Sequence, residues 1–162
     1  MIKVGILTAS DKGHKGERED KSGKVIQDRV KEISGIVSEY VIVPDERDSI
    51  SSTLISMADK SQLDLILTTG GTGFSPRDIT PEATKDVIER EVPGIPEAIR
   101  AKSMEITNRA MLSRATAGIR GKTLIINMPG SPKAVNESLD IILPVLIHAI
   151  EILIGQTGEC AR

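Results

Sequence analysis

Apolar residues fall into two rhythms along this chain. Ile2 to Thr8, Tyr40 to Val43 and Leu63 to Leu67 are short, nearly continuous apolar runs, the pattern of strands buried on both faces. Between them, Val25, Ile26, Val30 and Ile33, and then Ile50, Leu54, Ile55 and Ala58, recur at three- and four-residue spacing and predict amphipathic helices, the first ended by Gly35. A further helix is expected from about Pro81 to Glu91, stopped by Val92-Pro93-Gly94, and another from Pro96 to about Asn108. Residues 117–128 read as two strands about a Gly121-Lys122 turn. Ser131 as N-cap and Pro132 at the first helical position open a long apolar helix, which Leu143-Pro144 should kink or restart before Gly155.

Strands separated by helices predict an α/β fold: a single doubly wound domain over residues 1–162, mainly parallel, with helices on both faces and a small hairpin insertion. Ligands in such sheets bind beyond the carboxyl ends of the strands. Four strand ends lead into loops of unusual chemistry: Ser10-Asp11, Pro44-Asp45-Glu46, Thr69 to Gly73 with Asp78, and Pro129-Gly130-Ser131-Pro132. Residues 11–24 form a charged, glycine-containing connection, read as a functional lid or a mobile loop.

Composition narrows the classes of partner. The chain has one Phe, one Tyr and no Trp, so its core must be aliphatic and it lacks the rings of a single-stranded nucleic-acid platform. A net charge of −2 with mixed signs gives no electrostatic footprint for DNA or RNA. The six basic residues within 97–122 meet only Glu97 and Glu105 there, which leaves a solvated surface, an anionic substrate or a partner subunit as readings. Cys160 stands alone, excluding an internal disulfide and fitting a reducing cytoplasm. No apolar run approaches the ~20 residues of a membrane span, and the N-terminus lacks the pattern of a signal peptide.

Residues 63–84, LDLILTTGGTGFSPRDITPEAT, concentrate the chemistry. Gly70, Gly71 and Gly73 free the backbone, with Thr72 between them, to form a nest of N–H groups for an anion, and Thr80-Pro81-Glu82 reads as a helix start. The Pro129-to-Pro132 turn offers a second such cradle. Asp78 beside the first would repel a phosphate unless a cation stands between them, and with Asp45 it predicts a Mg²⁺ site. Arg77, Arg114 and Lys133 are candidates for stabilising leaving charge. TTGGTG lacks the lysine of a P-loop and the third glycine of a dinucleotide fingerprint. Gly121-Lys122-Thr123 has Thr116 where a Walker A glycine would be, and no G-x-S-x-G elbow occurs. His14 is expected in solvent and His148 packed or hydrogen-bonded on its helix.

VPDE at 43–46, TTGGTGFSPRDITPEAT at 68–84 and NMPGSPKAV at 127–135 resemble the molybdopterin adenylyltransferases of molybdenum cofactor biosynthesis. LTASDKG at 7–13, DKSG at 20–23 and LSRATAGI at 112–119 are similar to that family in the same order, so the resemblance spans nearly the whole chain. It implies adenylyl transfer from ATP to the terminal phosphate of molybdopterin, with Mg²⁺, in a homotrimer, and makes a molybdate insertase a candidate partner. By the same resemblance Asp45 and Asp78 are the essential acids, and Gly70, Gly71, Thr72 and Gly73 form the nucleotide and phosphate loop. Ser10, Asp11, Pro129, Gly130, Ser131 and Pro132 match substrate-contacting loops. A non-catalytic molybdopterin or nucleotide carrier of the same fold is the alternative.

Overall fold

A computed structural model describes residues 1–156. Cys160 lies outside the described residues. Four parallel strands form the middle and one flank of a six-stranded sheet: β1 (Ile2–Ala9), β2 (Gly35–Val43), β3 (Leu65–Thr69) and β6 (Thr123–Met128). β4 (Arg90–Glu91) and β5 (Ala117–Arg120) complete the order β2-β1-β3-β6-β5-β4, with β5 antiparallel to both its neighbours. The expected α/β class, mainly parallel with helices on both faces, is borne out. The hairpin about Gly121 is present with that glycine at φ 56°, and its second strand doubles as the parallel neighbour of β3.

The two faces of the sheet are read out by alternate residues. Ile6, Leu65, Leu67, Leu124 and Ile126 point to one side, under α2 (Lys21–Arg29) and α6 (Pro132–Ile154), where Ile26, Leu139 and Leu146 close the core. Leu7, Ile66 and Ile125 point to the other, under α3 (Arg47–Ile55) and α4 (Thr80–Lys85), against Ile50, Leu54 and Ala83. Period-two alternation on strands buried on both sides is why the runs read as continuously apolar.

Several boundaries differ from expectation. Residues 11–24 are not one loop: Asp11–His14 form a short helix α1, and α2 begins at Lys21 with Ser22 and Gly23 buried. The first turn of a helix is polar because its N–H groups need acceptors, and here Asp20 caps it. Ser34, at φ 56°, ends that helical stretch instead of Gly35, which already belongs to β2. The 81–91 helix stops at Lys85, and Arg90–Glu91 pair with β5. α5 (Gly94–Met104) also ends early, and a 3₁₀ turn follows at Asn108–Leu112.

Pro144 does not restart the last helix. α6 runs as one helix of 23 residues and closes on Gly155 at φ 77°. Pro144 and Asp140, whose carbonyl it leaves unbonded, are both on the exposed side, where water can serve that carbonyl. Buried Leu139, Ile142, Leu143 and Leu146 on either side hold the helix down.

Candidate active site at the carboxyl edge of the sheet

Because β1, β2, β3 and β6 are parallel, their carboxyl ends meet along one edge and deliver all four sequence-selected loops to it. They surround an open pocket of about 800 Å³. Of the residues expected there, Ser10, Asp45, Gly70, Gly71, Asp78, Gly130, Ser131 and Pro132 line it. Asp11, Thr72, Gly73 and Pro129 do not.

Each absentee has a local reason. The Asp11 carboxylate accepts two hydrogen bonds from Arg77, at 2.9 and 3.0 Å, and another from the Asp45 backbone N–H at 3.0 Å. Arg77 holds its carboxyl below the usual range, with help from that backbone bond. Arg77 also reaches Glu46 at 2.8 Å, so it ties the β1 and β2 loops together. The Thr72 and Gly73 carbonyls accept from Arg114, and the Pro129 carbonyl accepts from Thr69 Oγ1 at 2.6 Å.

Arg114 is a strut behind the glycine turn. Besides those contacts it donates to the Asp78 carbonyl at 2.9 Å and pairs with Glu82. Elsewhere in the basic 97–122 stretch Arg100 donates to the carbonyls of Ser113 and Ala115, and Arg120 pairs with Asp59. Lys102 pairs with Glu105 at 2.8 Å. Much of that positive charge is therefore spent inside the chain.

The pocket has two unlike walls. On one, Gly70 and Gly71 turn at φ 92° and 70°, beside Asp45 and Asp78. A side chain on Gly70 would strike the Ala9 carbonyl oxygen, so the turn requires glycine sterically as well as conformationally. Asp45 Oδ2 accepts from the Asp11 N–H at 2.9 Å, and Asp78 Oδ2 accepts from the Ser75 N–H at 3.0 Å. Burial, reinforced by the charges of Asp11 and Asp78, pushes the Asp45 carboxyl above its ordinary value. One oxygen of each carboxylate remains unengaged, a donor set suited to a hard cation that completes its shell with water and phosphate oxygens.

On the other wall the N-termini of α2 and α6 come together. Ser22 Oγ donates to the Gly130 carbonyl at 2.7 Å, and Ser131 caps α6 by accepting from the Ala134 N–H at 3.2 Å. Asp20 accepts from Gly23 N–H at 2.9 Å, from Thr8 Oγ1 at 2.6 Å and from Tyr40 OH, so the start of α2 is fastened to β1 and β2. Burial and that bond to Asp20 raise the Tyr40 hydroxyl far above its usual range. Thr69, part of the expected β3 loop, lines the pocket, and so do Thr8, Arg18, Asp20, Lys21 and Ser22, which were not among the expected site residues. The signal for Asp20 was an acid three residues before a glycine at a helix start, obscured by the surrounding charge run.

His14 is exposed, its Nδ1 lying 3.2 Å from the Ile42 carbonyl oxygen, and His148 is on the exposed flank of α6. Neither lines the pocket. Among the described residues no three His, Cys, Asp or Glu side chains group as a metal cluster, and no helix is long and apolar enough to cross a membrane.

An open α/β sheet whose carboxyl edge carries a polar pocket, with a glycine turn beside Asp45 and Asp78 and the N-termini of two helices, has the arrangement of phosphate-binding α/β domains. Residues 5–148 match the model of a family described as a probable molybdopterin binding domain. A molybdopterin adenylyltransferase of Helicobacter pylori strain J99 is 47% identical over 156 residues, covering 95% of this chain and 89% of that one. The crystal structure of a molybdopterin biosynthesis enzyme, MoaB, from Thermus thermophilus superposes with a TM-score of 0.91 at 49% identity, covering 98% of this chain and all of that one. A tungsten cofactor synthesizing protein from Pyrococcus furiosus gives a TM-score of 0.85 at 41% identity, over 94% of this chain and 96% of that one. The chain belongs to the molybdopterin-binding domain family, among the molybdopterin adenylyltransferases, as its loop motifs led us to expect.

Proposed function

We propose that this chain transfers the adenylyl group of ATP to the terminal phosphate of molybdopterin. An oxygen of that phosphate attacks the α-phosphorus of ATP, the bond to the β-phosphate bridging oxygen breaks, and pyrophosphate leaves with the electron pair. The observation that carries this reading is that Asp45, Asp78, the glycine turn after β3 and the N-termini of α2 and α6 all line one pocket of about 800 Å³. A carrier would need anion donors alone. A pair of acids in a phosphate site is costly unless a cation joins them, and that favours catalysis over the carrier.

The attacking group is a phosphate monoester, largely dianionic near neutral pH, so no strong general base is needed. This accords with a pocket lined by neither histidine. Gly70, Gly71 and the ends of α2 and α6 would bind and align the phosphates. Asp45 and Asp78 would hold Mg²⁺, whose positive charge offsets the repulsion of the two esters and the charge developing on pyrophosphate. Ser10, capping α1 at the pocket rim, would contact substrate. Arg77 and Arg114 act as struts of the loops, because each is already engaged by carboxylates. Asp11, Thr72, Gly73 and Pro129 would shape the same loops from behind.

Asp78→Asn should abolish Mg²⁺-dependent formation of adenylyl-molybdopterin and pyrophosphate while leaving the circular dichroism spectrum intact. Full turnover in that variant would remove the cation from the mechanism. A homotrimer, a cytoplasmic location and a molybdate insertase as recipient of the product complete the proposal on the family resemblance, with light scattering as the check on the trimer.

A further inference from the structure

Thr80 carries a polar atom that the fold leaves unused. The residue is fully buried, and Oγ1 has no hydrogen-bond partner among the described residues. Two hydroxyls inside helices find one: Thr53 donates to the Ser49 carbonyl at 2.8 Å and Ser138 to the Ala134 carbonyl at 2.7 Å, each one turn back. Thr80 is the first residue of α4, so no helical turn precedes it to supply that carbonyl. Glu82 Oε2 is the other buried atom without a partner among the described residues, but its sister oxygen is held by Arg114. Thr80 has no such compensation.

Thr80 does not itself line the pocket, but it lies directly behind Gly71, which does. The Thr80 N–H donates to the Gly71 carbonyl at 3.1 Å, which clamps the residue beneath the glycine turn. A Cβ on Gly71 would strike Thr80 Oγ1, with Thr80 Cβ at 3.2 Å and Asp45 Oδ1 at 3.5 Å. The orphan hydroxyl and the unengaged oxygen of Asp45 thus share the bare side of Gly71, and Asp45 lines the pocket. A buried hydroxyl without a protein partner is costly, and it persists most economically where an occupant of the site satisfies it.

We propose that Thr80 is a positioning residue of the cation site, its hydroxyl hydrogen-bonding a water of the cation's shell beside Asp45 Oδ1. This rests on the reading that Asp45 and Asp78 hold a divalent cation. A cation of the Mg²⁺ kind keeps several waters, and groups that orient such outer partners typically govern affinity by about 10- to 100-fold.

The test is titration of the full chain with Mn²⁺ alone, the free ion read by electron paramagnetic resonance, for wild type, Thr80→Val, Thr80→Ser and Asp45→Asn. Thr80→Val should weaken Mn²⁺ binding by about tenfold or more, Thr80→Ser should keep the wild-type affinity, and metal-free Thr80→Val should melt no lower than wild type. Wild-type affinity in Thr80→Val overturns the inference and leaves the cation site standing. Binding of Mn²⁺ that Asp45→Asn does not impair overturns the cation site, and this inference with it. Should valine disturb the fold, the contrast of Thr80→Ser with Thr80→Ala decides the same question.

Discussion

The two glycine turns at the mouth of the pocket look alike in sequence and behave differently in the fold. Gly70 follows β3, has φ 92°, and lies so close to the Ala9 carbonyl that no side chain fits. Gly130 follows β6, has ordinary backbone geometry, and would place a side chain 3.6 Å from the Gly70 Cα, a normal contact. The first turn sits among carboxylates, while the second caps a 23-residue helix. Glycine is thus a requirement of the acidic wall and a tolerance of the helix-end wall.

The sharpest way to break this comparison is to add one methyl group at each turn. Gly70→Ala forces a left-handed residue and a backbone clash, costing on the order of 2–4 kcal/mol. A chain of this size should then melt roughly 5–10 °C lower. Gly130→Ala should melt within about 2 °C of wild type, since it meets only ordinary contact. Equal losses at both positions in a thermal melt would show that the walls do not differ as described.

The acidic wall was the more legible of the two in the sequence. Gly70, Gly71, Asp45 and Asp78 are local signals: glycines after an apolar run and acids after prolines or before a helix start, all at strand ends that a parallel sheet must gather. The long-range ties were not legible. Arg77 pairs with residues 66 and 31 positions away, and Arg114 reaches Glu82 32 positions away. Nothing in a basic residue's neighbours announces such partners, so both looked like free cations. The start of α2 was lost for a different reason. Asp20-Lys21-Ser22-Gly23-Lys24 has the polarity of a loop because a helix's first turn must be polar, and only the Thr8 and Tyr40 contacts reveal Asp20 as the anchor of the second wall.

Titration in the acid range separates the walls next, because the raised carboxyl belongs to the acidic one. Burial and two neighbouring acids disfavour the Asp45 carboxylate in the folded, metal-free chain. The protonated form is the one that folding prefers, so this group's contribution is present below its ordinary value and is lost as pH rises toward the raised one. The melting temperature of wild type minus that of Asp45→Asn should therefore fall as pH climbs through the carboxylate range without metal. Added Mg²⁺ should reverse that fall, since it favours the charged form. A difference that is flat with pH, or indifferent to Mg²⁺, would detach Asp45 from any cation.

The smallest effect is expected at the helix-end wall. Ser22→Ala removes one bond, from Oγ to the Gly130 carbonyl at 2.7 Å, and Gly130 is exposed enough for water to take its place. The cost should sit near the lower end of about 0.5–1.5 kcal/mol. What changes is the spacing of the two helix ends, held otherwise by Asp20 and its bonds to Thr8 and Tyr40. On the proposed reading those ends bind phosphate equally before and during transfer, so loosening them should raise KM a few-fold, roughly 2- to 5-fold, and leave kcat nearly unchanged. A fall in kcat with KM intact would mean that the helix-end wall takes part in the transition state, and that the division of labour between metal side and anion side is wrong.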